Sequence, residues 1–543
     1  MNHCAVNNRR GVVPAFPPAC GHDAAADPAT PAARQAALSG RPSFTRASWS
    51  ATSRRLPDSL ARIATPIALS LAVAFGAGMV SALPAQAQGG VVSAPPPGQA
   101  APMRAQASEA GTSEFTLSNG MRVIVKEDHR APTVAHQVWY RVGGIDEVSG
   151  STGVAHMLEH MMFKGTPKVG IGEFSRQVAA LGGRENAMTT RDFTMYYQQI
   201  GKQYLPRMME LEADRMANLI IRKDEFEREM RVVKEERRMR TDDSARGTVY
   251  EQLLATVYTT AAYRHPVIGW MNDLDNMKVE QLKDWYRDWY APNNVLLVVT
   301  GDVKADEVRK LAERYYGKLK PRPLPATKPQ LEPPQKGVKR IWVKAPAENP
   351  YLVMAYKVPR LNDVEKDVDP YALEVLAAVL NGYDNARLTR QLVREQRLAD
   401  DVNVGYDSVN RGESLFVLDG TPANGHSTEQ IEAALRDELK RIARDGVSAD
   451  ELKRVKAQVV ASQIYKRDSV FGQGMEIGVS ELSGISWRQL DRILERIKEV
   501  TPEQVKAVAG KYFDDDNLTV ATLLPQPIDP NKPKSQGPAG LRH

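Results

Sequence analysis

From Phe115 onward, short apolar runs alternate with turn residues in a pattern that predicts strands. Residues 115–125 (FTLSNGMRVIV) read as two short strands about a Ser-Asn-Gly turn. Thr133 to Val142 is a further strand run, closed by Gly143 and Gly144, and Phe193 to Ile200 is another. Between them, Ala155 to Phe163 is rich in good helix formers. Charged amphipathic helices are expected from about Leu205 to Arg240. The Pro-rich stretch Pro321 to Lys336 then separates two halves.

The halves read as copies. Glu280-Gln-Leu-Lys283 matches Glu503-Gln-Val-Lys506 at an offset of 223, and without a gap Tyr290 then matches Phe513 and Asn294 matches Asn517. Each half is thereby expected to end with a helix, a short turn and an apolar strand, Val295 to Thr300 in one and Leu518 to Leu523 in the other.

Length and composition fit this organisation. A chain of 543 residues exceeds one core and implies two or more domains. With 42% hydrophobic and 25% charged residues it reads as ordinary soluble globular protein. The net charge of +6 suggests nucleic acid until it is located: residues 1–87 hold eight Arg, no Lys and three Asp, so 8 − 3 = +5 lies there and only +1 remains beyond. That leaves no basic footprint for nucleic acid. Arg54, Arg55 and Arg62 precede the apolar run Ile63 to Leu83 and the small-x-small site Ala85-Gln86-Ala87, the layout of a secretory signal cleaved after Ala87. A periplasmic or secreted protein with no stable membrane span follows; an Arg-rich mitochondrial leader is the alternative. Both cysteines, Cys4 and Cys20, precede that site, so a mature chain uses neither disulfides nor thiolate ligands.

The chemistry is concentrated in His156-Met-Leu-Glu159-His160. Two imidazoles four residues apart lie ~40° apart around a helix, with a carboxylate one step before the second. This can hold a divalent metal and activate water beside it, in the reverse order of H-E-x-x-H. At the 223-residue offset the three positions fall on Val379, Gly382 and Tyr383, and the second half has only His426 and His543, so one half carries the chemistry. A catalytic zinc also wants a third protein ligand. Glu225, Glu227, Glu229, Glu235 and Glu236 on one acidic helix are all candidates, and spacing alone does not choose among them.

Residues 153–166 (GVAHMLEHMMFKGT) resemble the zinc helix of the pitrilysin/insulinase-type metallopeptidases, in particular the mitochondrial processing peptidase branch and its bacterial relatives. Further matches are residues 182–187 (GGRENA) with 192–197 (DFTMYY), 229–236 (EMRVVKEE), and 290–294 (YAPNN) leading into 300–303 (TGDV); the likeness spans roughly 112–525. The resemblance implies an α+β fold of two homologous domains, each a mainly antiparallel sheet with packed helices, forming a clam-like chamber. It implies one Zn²⁺ per chain on His156, His160 and Glu236, with Glu229 orienting a ligand and Glu159 as general base in peptide hydrolysis. It also implies an extended peptide added to a sheet edge near Asn186 and Ala187, bordered by the strand through Tyr196 and Tyr197. For those tyrosines ordinary strand packing is an equal reading. The expected layout is an extension with signal peptide (1–87), a flexible lead-in (88–111), a catalytic domain (112–320), a linker (321–336), an inactive substrate-holding domain (337–525) and a tail (526–543).

One departure from the family pattern matters. Members use an Arg and a Tyr in the second half to bind substrate; here Arg394 fits, but Asp400 or Asp401 stands at the Tyr position and Tyr406 is out of register. An ionised Asp cannot donate to an oxyanion. The chain is therefore expected to be the zinc-bearing subunit of a heterodimer whose homologous partner supplies the Arg/Tyr pair; the alternative is a chain that works alone with low activity. The rival expectation is a non-catalytic structural or chaperone-like subunit.

Overall fold

The computed structural model describes residues 106–108, 111–327 and 330–531. The expected signal peptide, both cysteines and most of the lead-in lie outside the described residues. Twelve strands are described: β1 (Gln106–Ser108), β2 (Thr112–Thr116), β3 (Arg122–Glu127), β4 (Thr133–Tyr140), β5 (Arg184–Thr189), β6 (Thr194–Gly201), β7 (Val295–Gly301), β8 (Lys339–Pro346), β9 (Tyr351–Val358), β10 (Ala399–Tyr406), β11 (Ser414–Pro422) and β12 (Leu518–Gln526). They form two sheets, in the orders β1-β2-β3-β7-β4-β6-β5 and β10-β11-β9-β12-β8.

The duplication is visible strand by strand. β7 runs parallel to β3 and antiparallel to β4, and β12 runs parallel to β8 and antiparallel to β9. β4-β6-β5 and β9-β11-β10 continue antiparallel. Five strands thus repeat in the same order and orientation, and β1 and β2 extend the first sheet alone. The helices expected before β7 and β12 are Val279–Trp289 and Pro502–Tyr512. The first half does not stop at β7, however. Helix Ala305–Tyr315 follows and seats Val308 and Ala312 in the first core.

Alternation along the strands gives each sheet two apolar faces. In the first sheet Val123, Val125, Val138, Tyr140, Leu297 and Val299 face that half's own helices. Ile124, Trp139, Leu296 and Val298 face the other way. That second face is covered by helix Val470–Leu482, through Ile477 and Leu482. Reciprocally, helix Ala245–Val257 covers the second sheet, setting Val249, Leu253 and Val257 against Val343, Val353, Leu415 and Leu523. The two helices stand 470 − 245 = 225 positions apart, within two of the repeat offset, so the halves exchange equivalent helices. The linker is also tied down: Glu332 accepts from the amides of Thr259, Thr260 and Ala261 at 2.6, 2.8 and 3.0 Å and pairs with Lys357 at 3.2 Å. No helix among the described residues is long and apolar enough to cross a membrane.

Candidate metal centre

The H-x-x-E-H motif lies on helix Val154–Met161, every residue of which is buried. Val154, Met157, Leu158 and Met161 fill the first core, which turns the remaining side toward helix Lys223–Arg237. The motif helix starts at Gly153, with φ +84°, where a methyl would sit 2.6 Å from the Ile268 carbonyl oxygen, so a side chain is excluded. Its first amides are capped from a distance: Glu147 accepts from the N–H of Gly153 and of Ala155, both at 2.9 Å. Asp273 accepts from the amides of Gly150 and Thr152 and from the Thr152 hydroxyl. Burial pushes the Glu147 carboxyl up to about 8, against the lowering effect of those two amides.

Helix Lys223–Arg237 brings Glu229 and Glu236, two turns apart, to the same side. Glu236 Oε2 lies 3.6 Å from His156 Nε2 and 3.3 Å from His160 Nε2, while Oε1 pairs with Arg240 at 2.8 Å. Relative exposures of His156, His160 and Glu236 are 6%, 2% and 2%. Glu229 accepts from His160 Nδ1 at 3.0 Å and pairs with Lys164. That orients the ring with Nε2 toward Glu236 and favours a proton on Nδ1, the form in which Nε2 can ligate a metal.

This donor set fits a metal ion. Ligand atoms of His156, His160 and Glu236 lie within 4.8 Å of one another. Two donors ~2.0–2.1 Å from a tetrahedral zinc sit ~3.3 Å apart, close to the 3.3 and 3.6 Å that separate Glu236 Oε2 from the two Nε2 atoms. Glu236 Oε2 is buried and accepts no hydrogen bond, a costly state for a carboxylate oxygen that a cation relieves. The charges agree. Burial opposes ionisation of Glu236, yet His160, His156 and Arg240 hold its pKa at about 2. Burial also opposes charge on His160, but Glu229 and Glu236 raise it to about 9; a proton and a cation are alternatives there.

Glu159 faces the same region, buried and held by a hydrogen bond from the Thr189 hydroxyl. Burial raises its pKa, which suits a group that accepts and returns a proton. Thr189 ends β5, the edge strand of the first sheet. Asn186 and Ala187 lie on that strand, and the Asn186 side chain accepts from the Ala187 amide at 2.8 Å. Tyr196 and Tyr197, on β6, make packing contacts. Tyr196 Oη meets Tyr290 Oη at 2.9 Å, and Tyr197 packs against Phe471 with the rings tilted by 53°.

The second-half candidates stand apart from the cluster. Arg394 is exposed on the helical segment Thr389–Glu395. Asp400 is exposed on β10, Asp401 pairs with Arg246 at 3.1 Å, and Tyr406 donates to the Pro359 carbonyl. Among the described residues no hydrogen bond or ion pair joins any of them to the three donors. Sequence reasoning missed Glu147, Asp273 and Thr189. Thr189 alone left a trace, two positions beyond Ala187 and hence on the same face of β5.

A buried two-His, one-carboxylate cluster with a proton acceptor beside it, on one of two duplicated α/β halves, defines a metallopeptidase-like site, and comparison with known proteins gives the family. Residues 122–269 match the description "Insulinase (Peptidase family M16)" and residues 276–459 match "Peptidase M16 inactive domain". The zinc protease PqqE of Helicobacter pylori is 30% identical over 434 residues, covering 78% of this chain and 95% of that protein. The uncharacterized zinc protease YmxG of Bacillus subtilis is 26% identical over 402 residues, covering 74% and 96%. A solved protease from Helicobacter pylori superposes with a TM-score of 0.73 at 28% identity, covering 76% of this chain and 99% of that one. The chain belongs to the insulinase-type M16 peptidase family.

Proposed function

We propose that this chain is a zinc-dependent endopeptidase acting on extended or unfolded peptides. The observation that carries the reading is the convergence of His156, His160 and Glu236 with Glu159 beside them. The two imidazoles and Glu236 hold the ion, Glu229 orients the His160 ring, and the edge of β5 at Asn186 and Ala187 receives the peptide backbone. A zinc ion there supplies Lewis acidity toward water and the scissile carbonyl. Glu159 takes the proton from the attacking water and returns it to the leaving amine. No side chain forms a covalent intermediate in this scheme.

The chain acts as the zinc-bearing member of a pair. Its halves share two mixed cores, and a homologous second chain would complete the enclosure of a peptide. Asp400 and Asp401 leave the tyrosine role to that partner. Export belongs to the same reading. It is supported by the signal-like residues 54–87 and by the fold shared with the periplasmic protease PqqL from Escherichia coli, at a TM-score of 0.66 and 19% identity.

The test is metal analysis with peptide cleavage, with and without chelator and candidate partner. One zinc per chain, chelator-sensitive cleavage, and a Glu159→Gln variant that keeps zinc while losing turnover by about a hundred- to ten-thousandfold are expected. A metal-free, inert preparation even with partner supplied would instead establish the structural-subunit reading.

A further inference from the structure

Glu159 sits on one element, and its only hydrogen-bond donor among the described residues, Thr189, sits on another. We propose that Thr189 is the positioning residue for Glu159, and that the second half holds Thr189 in place through Arg411. The inference rests on the hydrolytic reading above and adds a residue and a structural role for the inactive half.

An ionised carboxylate only accepts, so the hydrogen bond between Thr189 Oγ1 and Glu159 Oε2 carries the threonine's single proton. The other acceptor within reach, the Thr194 hydroxyl oxygen, lies at 3.5 Å, the limit of a hydrogen bond, and is uncharged, so the Glu159 carboxylate takes the proton; Thr194 sends its own to the Val142 carbonyl at 3.1 Å. Oε2 of Glu159 is thereby fixed, and Oε1, which takes no hydrogen bond from the described residues, is left for proton transfer. Because Thr189 ends the strand whose outer edge receives peptide, the same backbone that registers substrate also aims the base.

What keeps Thr189 still is the turn that follows it. Thr190 Oγ1 accepts from the amides of Asp192 and Phe193, each at 3.1 Å. The Thr190 and Arg191 carbonyls accept from the amides of Gly144 and Ile145 at 3.1 and 2.8 Å. Asp192 accepts from the Tyr263 hydroxyl and, at 3.1 Å, from the amide of Arg411. The Arg411 guanidinium donates to the Asp192 carbonyl at 2.7 Å and forms a two-pronged pair with Asp146 at 2.8 and 2.9 Å. Arg411 lies in the β10–β11 turn, the second-half counterpart of the β5–β6 turn it grips. Asp146 directly precedes Glu147, which caps the motif helix. One arginine therefore braces both the strand that aims Glu159 and the loop that sets the helix bearing it.

The test compares Thr189→Val, Thr189→Ala, Thr189→Ser and Arg411→Lys with the wild type and Glu159→Gln, all zinc-loaded full chains with partner. The substrate is denatured casein, and kcat, KM and zinc content are read separately. Val and Ala are expected to lower kcat about tenfold to a hundredfold with KM and zinc content unchanged, and Ser to restore most of the rate. Arg411→Lys is expected to lower kcat at full zinc occupancy, since a single ammonium cannot hold both anchors. Should Val fail to fold, Ala against Ser decides by the same criterion. Wild-type kcat in Val or Ala, or a loss confined to KM, overturns the Thr189 assignment while an inactive Glu159→Gln keeps the hydrolytic reading. Wild-type kcat in Arg411→Lys overturns the bracing role. A fully active Glu159→Gln overturns the reading on which both rest.

Discussion

At the scale of single residues, the site depends on carboxylates performing different tasks a few ångströms apart. Glu236 presents a bare oxygen between two imidazoles, and Glu229 spends its oxygens on His160 Nδ1 and Lys164. Glu229→Gln can keep an acceptor for Nδ1–H but loses the charge that strengthens Nε2 as a donor atom. Zinc affinity is expected to fall about tenfold to a hundredfold with the fold intact, read by competition with a chromogenic chelator. Undiminished affinity would reduce Glu229 to an ion-pair partner of Lys164. The motif pair was legible because helix periodicity puts positions four apart on one side. Glu236 was one of five acidic candidates on its helix until the resemblance selected it. Thr189 stayed hidden because its partner lies thirty residues earlier and meets it only when a strand packs on a helix.

Among elements, the exchanged helix Val470–Leu482 shows how local composition serves tertiary packing. Gly474 and Gly478 lie one turn apart on the face it turns to the first sheet. A methyl at Gly478 would sit 2.2 Å from the Trp139 ring, and one at Gly474 2.5 Å from the Gln137 side chain. The indole is fully buried against Phe193 and the strands, so it cannot yield. Gly478→Ala is expected to lower stability by about 1–3 kcal/mol through overpacking, outweighing the helix propensity that alanine gains. A denaturant midpoint at or above wild type would show that the helix shifts without cost. The strand pattern and repeat offset foresaw β2, β3, β4, β6, β7 and β12. They did not foresee β5, whose polar sequence RENAMT lacks clear alternation.

For the whole molecule, the helix exchange means that each half closes one core by itself and needs the other half to close its second. Residues 112–320 alone would expose Ile124, Trp139, Met195, Leu296 and Val298 on the uncovered face of the first sheet. They would also carry Ala245–Val257 with nothing to cover. That fragment is expected to aggregate or to unfold without cooperativity, and co-expression with 337–525 to restore a soluble complex. Size-exclusion chromatography and thermal scans decide, and a monomeric, cooperatively melting 112–320 fragment would contradict the shared-core account.

The sequence by itself determined the duplication, half of the described strands, the confinement of the two-His motif to the first half, and the helix that carries it. All of these are written in periodicities and spacings of a few residues or in a constant offset. Only the tertiary structure decided which surfaces each half lends the other, and that Arg411 grips both loops beside Glu159. It also decided that Glu147 and Thr189 serve the motif helix. Those contacts join residues tens to hundreds of positions apart, and packing complementarity at such separations leaves no periodic trace along the chain.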